Sequence, residues 1–515
     1  MVKKMKRIPT EEKNVTKTII DGSISFTIVG VISKGLLFLL SWVMIRSVYT
    51  TNEVGEYSVL LNTYLFITSF TFGISARIIM IKEVSTNSKN FTKLRSIVSS
   101  FLLFQTIGTV AVIIYFAVVY GFNIIYEPAF LPSLFLLAFA VTEKLSTVCG
   151  FFLGMKKYKI YNIIQLVMVV SHVVVSITLA FIFKYFTAIP PYYAVFIGLI
   201  TKSIVGTVIS LICMRRVYGS LLTLKIGKEF LPFMKEVLIV GGVYFLNSVI
   251  ITQSVLILWS ISHDLPIITA FSLVQKTGTN FVQLISIFLG GMLMSIIPTY
   301  IKQKRMKEAE KITGKVAMVI FFIATLLLFT LTMFAKEFVW LFYGEENIQQ
   351  SVILWFACFQ VLWCVTKFGV NEVFITLKKS WVLYIILLIR VGVFFGCAYL
   401  LTPIIGIYGM LISVAVSYSI AMVLNFLSLK HIGKINTFKY YWSMFINYIL
   451  YQIFFLAVYI KCEDILWGRI VLFISLLGLY IFTLLRIIVP KSDIDYAVSF
   501  IKSKMKEFKS LVGRI

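Results

Sequence analysis

Apolar runs of about twenty residues or more recur along the whole chain, separated by short polar or basic stretches. Fourteen such runs are legible, at 24–48, 57–81, 96–120, 129–153, 161–183, 192–213, 237–260, 267–300, 316–335, 351–376, 381–401, 405–428, 441–460 and 468–488. Each is long enough to carry a helix across the roughly 30 Å hydrocarbon layer. Alternating segments of about ten residues, the mark of a membrane barrel, are missing. The pattern predicts an all-α polytopic membrane protein. The first run is too long for a signal-peptide core and no small-residue cleavage site follows it, so it reads as a retained span.

The polar stretches test the count. With the N-terminus in the cytoplasm, the loops on that side ("KEVSTNSKNFTKLR", "MKKYK", the 214–236 segment, "KQKRMKEAEKITGK", "LKKS", "KHIGKINTFK") and both termini hold 36 basic and 11 acidic residues. The opposite loops hold 4 and 9, and the spans 8 and 2. This is a strong positive-inside asymmetry, and it places both termini in the cytoplasm. It also accounts for most of the net charge of +26 without nucleic acid, because loop lysines set topology and meet anionic lipid heads.

Composition agrees: 59% of the 515 residues are hydrophobic, 14% are charged, and the mean hydropathy is +0.95, far from a soluble domain. No loop between spans is long enough for a soluble catalytic domain, so any function lies in the spans or at their mouths. Six cysteines and three histidines are scattered without metal or disulfide spacing, and no cofactor is expected.

Weak self-similarity joins the two halves. "GEYSVLLNTYLFITSFTFGIS" (55–75) resembles "TAFSLVQKTGTNFVQLISIFLGG" (269–291), and "GFFLGMKKY" (150–158) resembles "EVFITLKKS" (372–380). This predicts a six-helix lobe over 1–213, a cytoplasmic linker at 214–236, and a second six-helix lobe over 237–430. Two additional helices at 431–490 and a basic tail at 491–515 follow. Six spans is an even number, so the copies are parallel, and a site would lie near the midplane between them.

A charge at bilayer depth costs roughly 2.5–3.5 kcal/mol on insertion scales, so the charges inside the spans need reasons. Arg46 and Arg77 lie near span ends and can snorkel to the head groups. Lys202 and Arg390 are mid-span, and His172 reads as a neutral core histidine. Lys276 stands out: Ser272, Lys276, Thr279, Gln283, Ser286 and Gly290 share one helix face, with Asn280 beside them. Small polar residues alone suit helix packing; a lysine and a glutamine among them favour a wet cavity. Span 1 repeats this with Thr27, Gly30, Lys34 and Ser41. Span 2 does so with Ser58, Asn62, Ser69 and Gly73, and span 7 with Tyr244, Asn247 and Ser254. The candidate cavity set is therefore Lys34, Lys276, Asn62, Thr279, Asn280 and Gln283. Glu143, Lys144, Lys367 and Glu372 are either internal ion pairs or, at the carboxylates, groups that take up H⁺ or Na⁺ and couple transport to a gradient.

The stretches "SKGLLFLLSWVMIRSVYTTNEVGEYSVLLNTYLFITSFTFGIS", "FVWLFYGEEN" and "LLTPIIGIYGMLISVAVSYSIAMVLN", with the 269–311 run, resemble the polysaccharide-transport family of the multidrug/oligosaccharidyl-lipid/polysaccharide exporter superfamily. The resemblance spreads over residues 20–430. It implies two six-span lobes, with spans 1, 2, 7 and 8 lining a cavity that opens alternately to each side. It further implies a flippase in the bacterial cytoplasmic membrane that moves an undecaprenyl-diphosphate-linked oligosaccharide outward for O-antigen, capsule, exopolysaccharide or teichoic-acid synthesis. The partners implied are the lipid-linked glycan, membrane lipids, a polymerase and glycosyltransferases. Related flippases carry substrate-facing cations on the first and eighth spans, where Lys34 and Lys276 fall. The second-span cation has no match; Asn62 stands near its place. A multidrug exporter of the same superfamily is the alternative, and it would want carboxylates for cationic drugs. A membrane polymerase or ligase would need a large external loop.

Overall fold

The protein is described from a computed structural model. It covers residues 29–484 and Arg486, apart from 70–71, 88–89, most of 122–146, 156, 220–226, 303, 368–369 and 463–464. The described residues are helical or in short connections between helices, with no strand among them. The helices are α1 (Val29–Val48, ending in a π-helical turn), α2 (Thr51–Ser69), α3 (Gly73–Thr86), α4 (Phe91–Gly121), α5 (Gly150–Gly154), α6 (Tyr158–Phe186), α7 (Tyr193–Tyr218), α8 (Phe230–Ser262) and α9 (Leu265–Lys302). They continue with α10 (Met306–Met333), α11 (Ala335–Tyr343), α12 (Ala357–Lys367), α13 (Val370–Thr376), α14 (Ser380–Ile405), α15 (Ile407–His431), α16 (Phe438–Lys461) and α17 (Leu466–Thr483).

Ten of the described helices are long and apolar enough to cross a membrane, making this a multi-pass membrane protein. The other four expected spans differ in kind. The second is two helices, α2 and α3, broken at Phe72, whose φ of 52° is left-handed. The eighth is the single 38-residue helix α9. The tenth is segmented into a 3₁₀ stretch (Glu345–Phe356), α12 and α13. The fourth lies mostly outside the described residues.

The aligned Lys-Lys turns share their bonds. Met155 and Lys157 donate their N–H to Phe151 and Phe152; Leu377 and Lys379 donate to Val373 and Phe374, 222 positions on in each case. In both halves the following two helices run against each other, α6 on α7 and α14 on α15. The apolar clusters largely follow the halves too. One exception is the start of α8, where Phe233, Val237 and Val240 join the first half's cluster around Ala76, Met80 and Phe101. The last two helices sit on the flank of α10: Met444, Tyr448, Phe455 and Tyr480 enter the second half's cluster. Gln452 donates to Thr332 (2.6 Å), and Arg469 binds Glu337 and the Met333 carbonyl.

Candidate functional site

The site is built where α2 meets α8 and α9. Both α2 and α9 begin at the end that the charge asymmetry assigns to the outside, and both have sequence-encoded starts. Thr50 and Glu53 form a capping box: the Thr50 N–H donates to Glu53 Oε2 (2.8 Å) and the Glu53 N–H to Thr50 Oγ1 (3.3 Å). Asp264 accepts from the Ile267 N–H at the start of α9, with Pro266 in the first turn. Each such cap contributes about 1 kcal/mol.

From these starts the helices run inward side by side. Thr269 Oγ1 donates to the Thr51 carbonyl (2.7 Å). A Cβ at Gly55 would come within 2.8 Å of the Leu265 carbonyl, so only glycine lets the backbones approach this closely. Two turns further in, Lys276 reaches from α9 and sets its ammonium 5.1 Å from the ring centre of Tyr57 on α2. Tyr57 in turn packs on Tyr49 and Phe196. Lys276 therefore bridges the two halves of the chain, half-buried. Among the described residues it has no ion pair or hydrogen bond. The Tyr57 face returns about 0.5–2 kcal/mol, less than the cost of the charge at depth. What is left over favours an anion.

The other polar residues of α9 divide among its neighbours. Thr277 shares a hydrogen bond with Tyr343 (2.9 Å). Gln275 donates to the Ile251 carbonyl on α8. Thr279 accepts from Gln360 on α12 (3.1 Å). The stripe therefore serves packing inside the second half as well as the seam, and Thr279 belongs to the packing part. Asn280 is half-buried beside it. The side chain of Gln283 lies outside the described residues. Asn62 is buried, with its amide donated to the Ser58 carbonyl of its own helix (2.8 Å).

Lys34, on α1, lies within electrostatic reach of Lys202 on α7, which also acts on His172 of α6. His172 is buried with Nδ1 3.2 Å from Ser176 Oγ. Lys367 lies over one face of Trp363 (4.7 Å). Glu143 and Lys144 lie outside the described residues, as does the side chain of Glu372. No group of three or more metal-ligating side chains occurs among the described residues.

Three arginines mark contacts that sequence reasoning missed. Arg390, fully buried, donates to Asn247 Oδ1 (3.1 Å) and to the Asn247 carbonyl (3.3 Å) on α8, and lies over the rings of Trp363 (4.4 Å) and Tyr418 (4.9 Å). Arg469 carries the tie of α17 described above. Arg46, at the end of α1, covers Trp340 of the second half (5.2 Å). The seam continues inward along α8 through Phe66 on Phe245, Phe72 against Gly241, and an ion pair between Lys82 and Glu236.

No family model matches the chain, and no curated protein does. Solved structures do. An outward-facing multidrug resistance MATE family transporter of the MOP superfamily superposes with a TM-score of 0.58 at 17% identity, over 81% of this chain and 96% of that one. A eukaryotic MATE transporter gives 0.59 at 14%, over 81% and 95%. A MOP superfamily transporter from Pyrococcus furiosus, for which a reversed polarity of the binding pocket suggests a different function, gives 0.58 at 15%, over 81% and 96%. The chain has the fold of these transporters.

Proposed function

We propose that the protein is a transporter of this superfamily that moves an anionic, lipid-linked glycan across the membrane by alternating access. The fold likeness supports the transporter reading, and by itself it favours the second reading, export of small molecules or drugs. The charge at the seam favours the anionic substrate, and Lys276 on Tyr57 is the observation that carries it. A lysine shared between the two halves, with no carboxylate beside it among the described residues, repels cationic drugs and attracts phosphate. A polyprenyl-diphosphate-linked oligosaccharide fits this chemistry. Its diphosphate would sit at Lys276, its sugars among hydroxyls and amides, and its tail in lipid.

In this reading the chain works in the bacterial cytoplasmic membrane, moving substrate from the inner to the outer leaflet. It would be supplied by glycosyltransferases and serve a surface-polysaccharide polymerase. An H⁺ or Na⁺ gradient drives the cycle, with Glu143 and Glu372 as the carboxylates to test.

The test is a sided-vesicle assay of the full chain with a fluorescent polyprenyl-diphosphate disaccharide. Lys276→Ala should lower translocation at least tenfold while insertion is unchanged, and Lys276→Arg should retain part. Full activity in Lys276→Ala, or uptake of cationic dye in place of the lipid, would overturn the reading.

A further inference from the structure

Arg46 sits where a snorkelling arginine would sit, yet it turns toward the other half of the chain. Its guanidinium is held over the Trp340 ring, with Nη1 beside the turn at Gly344. Among the described residues it makes no hydrogen bond and no ion pair. It opens onto a cavity of about 310 Å³ formed by both halves. Arg46, Tyr49, Thr51 and Val54 line it from the first half, and Leu273 and Glu345 from the second. That volume lies at the lower end of the range for small-molecule sites. The Tyr49 hydroxyl is buried and has no hydrogen-bond partner among the described residues.

The cavity stands directly over the Lys276 site. Val54 and Leu273, both buried, are each one step of three residues before Tyr57 and Lys276. That step advances a helix by ~4.5 Å, so one apolar layer separates the cavity from the ammonium.

We propose that this outer cavity is a second binding site, for a phosphate or diphosphate group, with Arg46 as its principal ligand. A guanidinium presents paired N–H donors matched to phosphate oxygens, and the contact with the Trp340 ring holds it without using one of those donors in a hydrogen bond. The Tyr49 hydroxyl adds a donor. Glu345 shares the cavity and opposes an anion there, which keeps the site weak and suits a place of departure. An anion leaving Lys276 crosses the Val54–Leu273 layer and meets Arg46 next. The site stands on its own geometry; that its occupant is the headgroup of a transported lipid rests on the function proposed above.

The full chain in nanodiscs, titrated with inorganic pyrophosphate and followed by tryptophan fluorescence, tests it, with Trp340→Phe removing the reporter. Saturable quenching is expected in the unaltered protein. Arg46→Gln should weaken it at least tenfold, and Arg46→Lys less. Glu345→Gln should tighten it about threefold, a gain that misfolding does not produce. Polyprenyl diphosphate added to the disc lipid displaces pyrophosphate if the occupant is a lipid headgroup, and fails to if it is a soluble diphosphate.

The proposal is overturned by the absence of saturable binding, by equal affinity in Arg46→Gln, or by loss of binding in Lys276→Gln alone. Normal lipid translocation by Lys276→Ala together with Arg46-dependent pyrophosphate binding would remove the proposed function and leave this site standing.

Discussion

Arg390 provides a prediction whose sign separates two views of a buried charge. It is fully buried, bonded twice to Asn247 and faced by Trp363 and Tyr418. Its Nε has no acceptor among the described residues. Asn247→Ala removes one bond to a charged donor and leaves that donor in the interior, at a cost of about 2–3 kcal/mol. A neutral hydrogen bond between membrane helices averages only about 0.6 kcal/mol, so the charge decides the size. Arg390→Met removes both bonds and both ring contacts, but it also removes the desolvation of the guanidinium. Replacing buried ionic groups by apolar ones of similar volume is often near neutral, and Asn247 is only half-buried, so its amide finds other partners. Arg390→Met should therefore cost about 1 kcal/mol or less, and the double variant should match it. Equilibrium unfolding in bicelles by steric trapping would measure the cycle, with a coupling of about 2 kcal/mol between the positions. The reasoning fails if Asn247→Ala costs less than Arg390→Met, or if the two add.

Two further predictions concern the seam. A Cβ at Gly241 would come 2.4 Å from the Phe72 ring, so Gly241→Ala should push α3 from α8 and slow lipid translocation severalfold, with insertion intact; an unchanged rate in the vesicle assay would count against the close approach. The Lys82–Glu236 pair is exposed on both sides and contributes at most about 1 kcal/mol to stability. Lys82→Glu should leave the unfolding midpoint almost unmoved yet increase cysteine labelling at the inner end of the seam, and adding Glu236→Lys should reverse that increase.

The spans were legible because apolar length and loop charge are local properties, and Lys276 stood out because a charge among apolar residues is costly wherever it faces. The facing itself was not legible. Thr279 and Lys276 are three apart on one helix, yet one is held by Gln360 and the other by Tyr57, residues 81 and 219 positions away in opposite directions. Arg46 shows the same limit: a span-end arginine reads identically whether it rises to head groups or lies on Trp340. The break at Phe72 had little signal, since a phenylalanine rarely adopts a left-handed φ; its ring against Gly241 is what rewards the strain.

The placement of α8 bears on how such a seam could move. Its first eleven residues pack with the first half's cluster, and Val243 and the turns from Ile250 on with the second half's. Between them lie Gly241 and Gly242, the first against Phe72 and the second against Tyr384 of α14. Glycine pairs are where long helices bend at low cost, and Arg390 fastens α8 to the second half six residues further on. Under the alternating-access reading proposed above, rocking of the halves has to bend α8 at this pair or strip Phe233 and Val237 from their cluster. Each buried side chain exposed to water is worth about 1.5–3 kcal/mol, although the loss is smaller where lipid replaces the partner. Bending is the cheaper course. It leaves Lys276 outward of the pivot, on a helix that follows the second half, while Tyr57 follows the first. The ammonium is then uncovered whenever the halves separate.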